Sequence, residues 1–210
     1  MAITDLSELT VAVNNWLAKS YSTLRVYEFI AMAEADLNRR LRIREMEATT
    51  DLSLTGGTRE VALPTRYLGT RRLYLDGDPV QLLDYMPPVD FWERYTGSQT
   101  SKPEAYTIEA DNIVFGPGPD TTYTGKHLYW RGFEALDAES GPTTNELLTN
   151  HPDLYLYATL KQAFTFKGEP QMVAYWDGLT AQAIRSVEQS SEHDRYPSGQ
   201  LVRRNDSGHP

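Results

Sequence analysis

The sequence predicts an α+β protein: a mainly α-helical bundle of four helices, a small antiparallel β-sheet domain inserted between its halves, and an extended C-terminal tail. Helical periodicity occupies both ends of the chain, before Glu47 and after Pro142. Between them lie short apolar runs bounded by Gly, Pro and Asp, the texture of a small antiparallel sheet. After Val187 the apolar periodicity stops. The expected division is 1–46 and 143–189 for the helical body, 47–142 for the insertion and 190–210 for the tail.

Thr4 is the expected cap of a first helix running to about Leu17, with Leu6, Leu9, Val13 and Trp16 on one face and Glu8 near a capping-box position. A second helix is expected from about Thr23 to Arg44, with Tyr27, Ile30, Glu34, Leu37 and Leu41 facing inward. Its last turns carry Arg39, Arg40, Arg42 and Arg44, where cations suit the negative helix end. They read either as a solvated basic turn or as arms reaching a neighbouring subunit's acids.

In the insertion, Arg71–Leu75 and Val80–Leu83 flank Asp76-Gly77-Asp78-Pro79, a hairpin signal. Ala105–Glu109 and Asn112–Phe115 form a second hairpin around Ala110-Asp111, and Lys126–Arg131 a further strand. A short helix is expected near Asp90–Tyr95, within a loop.

The stretch Asn150–Gln189 organises the whole. A polar cap, Pro152 and Asp153 start a helix in which Leu154, Tyr155, Leu156, Tyr157, Ala158, Leu160, Ala163, Phe164 and Phe166 leave almost no polar side, so it must be covered on more than one face. Gly168 and Pro170 break the chain. The next helix places Met172, Trp176, Leu179, Ala183 and Val187 on one face. Leu154, Leu160, Phe164, Trp176 and Leu179 are the expected core of this hairpin. The aromatic excess fits association as well as core packing, because Tyr and Trp suit interfaces; Tyr155 and Tyr157 are expected subunit contacts on that reading.

The chain has 210 residues, a formal net charge of −9 and no cysteine. The charge argues against general affinity for bare DNA or anionic membrane. It suits a surface that DNA must pass without sticking, and it also serves plain solubility. Disulfides and thiolate metal sites are excluded. No signal-peptide pattern opens the chain and no apolar run reaches membrane-spanning length, so a soluble cytoplasmic product is expected. The histidines, His127, His151, His193 and His209, lack metal-ligand spacing. The prolines in Gly116-Pro117-Gly118-Pro119 remove amides that would cradle phosphate, and no nucleophile elbow occurs. No catalytic residue, cofactor or metal site is expected.

An ordered set of stretches resembles the head-to-tail adaptor (connector, head-completion) proteins of tailed bacteriophages, of the tail accessory factor type. They are Ile3–Leu9 with Asn15-Trp16-Leu17, Phe29–Ala35 through Leu37-Asn38-Arg39, Leu63-Pro64 with Tyr67-Leu68, Pro103 with Tyr106-Thr107-Ile108, Pro117–Asp120, and Leu147-Leu148 with His151–Tyr157. The resemblance implies a structural virion protein at the head–tail junction, assembled in the host cytoplasm as a ring of twelve under the portal. Such a ring extends the DNA channel, lets DNA pass without specific binding, and offers a docking surface to tail or nozzle proteins. It also implies that Arg195, Tyr196, Leu201, Val202, Arg203 and Arg204 belong to a portal-binding tail. Arg39, Arg40 and Arg42 become inter-subunit contacts beside Tyr155 and Tyr157. A peptidoglycan hydrolase-like tail accessory enzyme, a nucleic-acid-binding module and a neck or tail-completion protein at another level are the competing readings.

Overall fold

The computed structural model describes residues 3–195, which form two compact units. One is built from the chain up to Glu45 and from Ala135 onward, the other from Met46–Glu134. Among the described residues there are six α-helices: α1 (Leu6–Trp16), α2 (Thr23–Arg40), α3 (Pro88–Arg94), α4 (Glu146–Asn150), α5 (Pro152–Lys167) and α6 (Pro170–Arg195). All but α3 belong to the helical unit.

The α1 cap falls one residue later than expected. Asp5 Oδ1 accepts the Glu8 N–H at 2.8 Å, while the N–H and hydroxyl of Thr4 each donate to the Glu8 carboxylate at 2.7 Å. Leu6, Leu9 and Val13 are buried, but Trp16 lies 56% exposed, its ring edge-on to Trp176 at 5.5 Å. Helix α2 stops at Arg40, short of Arg44. Leu41 turns extended (ψ 139°) and is fully buried, and the Arg42 guanidinium donates to the carbonyls of Asn38 (2.9 Å) and Leu41 at the helix end. The buried stripe of α2 is Val26, Phe29, Ile30, Ala33, Glu34 and Leu37.

Helix α5 is the hub, touching α1, α2, α4 and α6. Its buried residues, Leu154, Tyr155, Leu156, Ala158, Thr159, Leu160, Ala163 and Phe164, run around the helix, as the lack of a polar side requires. Pro152 occupies its first turn, and Gly168, left-handed at φ 72°, closes it with the Glu169 N–H returning to Phe164 O at 3.2 Å. In α6 the buried positions are Trp176, Thr180, Ile184, Val187 and Ser191; Met172, Leu179 and Ala183 are half-buried. The buried face is therefore rotated from the expected one. The helix also runs on through Arg195, so residues 190–195 are helical and not extended. Ser191 explains the extension: its buried Oγ accepts the Arg44 N–H at 2.8 Å, an anchor beyond the apolar stripe. Tyr196, Leu201, Val202, Arg203 and Arg204 lie outside the described residues.

The β unit holds two four-stranded sheets where one was expected. Its strands are β1 (Glu47–Leu54), β2 (Glu60–Ala62), β3 (Tyr67–Leu75), β4 (Gln81–Leu82), β5 (Asp84–Tyr85), β6 (Ala105–Glu109), β7 (Asn112–Gly116) and β8 (Tyr123–Arg131). The sheet orders are β1-β8-β3-β4 and β2-β7-β6-β5. All pairs are antiparallel except β5–β6. Leu52, Leu54, Leu73 and Leu75 of the first sheet share a core with Tyr106, Ile113 and Phe115 of the second. Both expected hairpins form, β3–β4 around Asp76–Pro79 and β6–β7 around Ala110-Asp111. Gly116 is required by α3: a Cβ there would stand 2.6 Å from the Tyr95 ring and 2.7 Å from Phe91.

Candidate assembly interface

The expected hairpin core divides by depth. Leu154 and Leu160 are fully buried; Phe164 and Trp176 stack at 6.4 Å with rings 12° apart. Leu179 is only half-buried and lines a shallow groove with Asp153, Tyr157 and Gln182. Tyr157, half-buried, tilts against Trp176 at 5.7 Å and reaches this surface.

Tyr155 does not serve as an outward contact. It is completely enclosed, because its hydroxyl belongs to an internal network. That hydroxyl donates to Glu34 Oε1 and accepts from Asn145 Nδ2 at 3.1 Å, and Glu34 Oε1 also accepts the Leu136 N–H at 2.8 Å. One carboxyl thus ties α2 to α5 and to the strap that re-enters the unit at Leu136. Burial raises the Glu34 pKa, and the bonds from Tyr155 and Leu136 offset only part of that. Burial and then the Glu34 charge push the Tyr155 phenol upward, so it stays a donor.

The basic end of α2 also has partners within the chain. Arg40 bridges Asp36 and Asp177, each at 3.4 Å, and Lys161 reaches the same acids at 3.0 and 2.9 Å. Four charges on α2, α5 and α6 thereby close a ring of alternating sign. Burial opposes the Asp36 carboxylate, but the hydrogen bond and charge of Lys161, then Arg40, outweigh it and lower its pKa. The Lys161 hydrogen bond leads in lowering Asp177. Burial works against the Lys161 ammonium, yet bonds to Asp177 and Asp36 raise its pKa above the ordinary lysine value. Arg42 is spent on the helix end. Arg39 alone of the three projects outward, 72% exposed with a loose 3.6 Å contact to Asp36. Exposed Leu24 (71%), Phe166 (55%) and Tyr175 (56%) add apolar surface to this unit.

The β unit buries uncharged polar side chains. Thr107 and His127 are both fully buried, and the His127 ring lies between Tyr67 and Tyr129, with ring centroids at 5.9 and 5.0 Å. Nε2 bonds Thr70 Oγ1 at 2.9 Å, which in turn meets the Tyr67 hydroxyl at 2.9 Å, while Nδ1 has no partner. Burial pulls the His127 pKa down to about 4, so the ring is neutral near pH 7.

Among the described residues no group of three or more His, Cys, Asp or Glu could hold a metal ion, and no helix is long and apolar enough to cross a membrane. No curated protein matches the chain. Residues 4–204 match the family model of the SU10 adaptor protein, and the chain belongs to that family of phage adaptor proteins, which implies a structural role.

Proposed function

We propose that this protein is a head-to-tail adaptor that forms a ring, of twelve copies, beneath the phage portal. The ring continues the DNA channel and presents a surface to tail or nozzle proteins after assembly in the host cytoplasm. The observation that carries this is the family match across residues 4–204, which spans the helical and β units alike. The net charge of −9 supports a channel that DNA traverses without sticking. Arg39, the groove beside Tyr157 and Leu179, and exposed Phe166 and Tyr175 are the subunit contacts. Arg40 and Arg42 support that surface from within their own chain. The helical body, 1–46 with 143–189, makes the ring, and the C-terminal segment from Arg195 through Arg204 binds the portal.

Light scattering on the protein alone, then mixed with the cognate portal ring, tests this. A monomer that adds to the portal in fixed stoichiometry is expected; one that ignores the portal and binds tail tube or nozzle would move it to another level of the neck. Truncation to probe the segment belongs after Arg195, since Ser191 anchors Arg44. Loss of portal binding with an unchanged fold is expected.

A further inference from the structure

Helix α2 is apolar on two opposite faces. Val26, Phe29, Ile30, Ala33 and Leu37 enter the core of the helical unit. Leu24, Glu28, Ala31, Met32, Ala35 and Arg39 recur at steps of three and four on the other side, and all are exposed. A helix face covered only by water is normally polar, whereas Leu24, Ala31, Met32 and Ala35 make this one largely apolar. The same unit carries an apolar groove of about 560 Å³ at the α5–α6 turn, lined by Thr165, Gly168, Pro170, Val173 and Ala174, with the carboxylates of Glu169 and Asp177 beside them. Asp177 takes Arg40 and Lys161 on Oδ1, and Glu169 takes Lys167 on Oε1 at 2.8 Å, so each keeps a second oxygen able to accept a further donor.

We propose that the outer face of α2 in one copy packs into the α5–α6 groove of a second copy of this chain. A second copy is the occupant because the chain itself carries the matching pair: an apolar helix face with an outward arginine, and an apolar groove with acceptor carboxylates. The register agrees. Met32 to Arg39 and Pro170 to Asp177 are both steps of two helical turns, about 10 Å, so Met32 at the Pro170 end of the groove sets Ala35 beside Val173 and Arg39 beside Asp177. Arg39, held in its own chain only by the 3.6 Å contact to Asp36, supplies the donor. Ala35 and Ala174 let the two helix axes approach to about 8 Å. The two faces share no residue, so the contact is head-to-tail: each copy fills its neighbour's groove and offers its own to the next. Such a contact propagates and cannot stop at a symmetric pair. It rests on the adaptor reading, which requires a ring, and names the surfaces that build that ring.

The chain has no cysteine, so introduced thiols are specific probes. The full chain is assembled on the cognate portal ring, with portal thiols blocked beforehand, and treated with a short thiol-to-thiol cross-linker. Ala35→Cys combined with Val173→Cys should give a ladder of covalent multimers, and either cysteine alone should leave single chains. Ala35→Trp, at an exposed position, should keep the circular dichroism and urea midpoint of the wild type and lose assembly on the portal in light scattering. An assembled complex that yields no ladder, or that tolerates the tryptophan, overturns the contact while the adaptor reading stands. Links formed by a single cysteine would make the contact symmetric and overturn it as well. Loss of portal binding by Ala35→Trp without a ladder from the paired cysteines gives the α2 face to the portal, which again overturns the contact. Wild-type protein that never adds to the portal removes the adaptor reading and the contact with it.

Discussion

The helical unit buries an acid and the β unit buries a base. Glu34 keeps its carboxyl inside by collecting donors from Tyr155 and Leu136, and close by Asp36, Arg40, Lys161 and Asp177 neutralise one another. His127 has one hydroxyl partner and two flanking rings, and it stays inside by remaining neutral. The helical unit therefore fixes how its helices meet through polar bonds that only one arrangement can satisfy. The β unit relies on its leucine and aromatic core.

The largest expected effect tests what the two cores have in common. Leu160→Ala on α5 should cost about 2–5 kcal/mol in urea unfolding, since the site is enclosed by neighbouring helices and cannot collapse freely. A loss under 1 kcal/mol would mean that α5 is not the hub.

Next comes acid. His127 has an ordinary pKa of 6.5 when unfolded and about 4 when folded. Below pH 6.5 the unfolded state binds a proton that the fold refuses, so stability falls with pH and levels off below about 4, by up to about 3 kcal/mol. Above 6.5 the residue contributes no slope. Glu34 slopes the other way: its raised pKa makes the folded state the stronger proton binder, so acid relieves a cost there. Urea melts of wild type and His127→Gln near pH 7 and pH 4 should differ in slope; equal slopes would erase the contrast between the units.

Glu34→Ala should destabilise by about 1–3 kcal/mol, because Tyr155 OH and Leu136 N–H lose their acceptor. Glu34→Gln keeps an acceptor and drops the buried charge, so it should cost clearly less; equal losses would show that charge rather than bonding matters. The smallest effect sharpens the interface. Arg39→Ala should change stability by less than about 0.5 kcal/mol, its one ion pair being loose and exposed, yet reduce ring assembly on the portal in light scattering.

Periodicity and turn chemistry made much of the fold legible. Gly168 and Pro152 bound α5 where residue type alone places them, and Asp76–Pro79 marks a hairpin that forms. What stayed hidden depends on partners distant in sequence. Glu34 and Tyr155 lie 121 positions apart, so nothing local distinguishes Tyr155 from an interface tyrosine. The end of α2 is set by burial of Leu41 against the propensity of the arginines that follow. Ser191 reads as tail until Arg44 is seen to bond it. The second sheet is not legible because β2, β4 and β5 span only two or three residues, too few to show alternation. Of the expected interface residues, Arg39 stays on the surface; Arg40 looks outward in sequence because Asp177 lies 137 positions away, and Arg42 turns back onto the carbonyls of Asn38 and Leu41 because α2 ends at Arg40.

Helix α6 outruns α5, 26 residues against 16, by about 15 Å at 1.5 Å per residue. Because Ser191 pins that overhang to Arg44, the chain beyond Arg195 departs from a fixed origin. Tethering of this kind raises the effective concentration of a segment at any site within its reach to the millimolar range. A contact with a Kd near 1 mM, scarcely detectable between separate molecules, would then be about half occupied at all times. The fixed origin therefore lets weak, quickly exchanged contacts act as strong ones while remaining easy for a competing partner to displace.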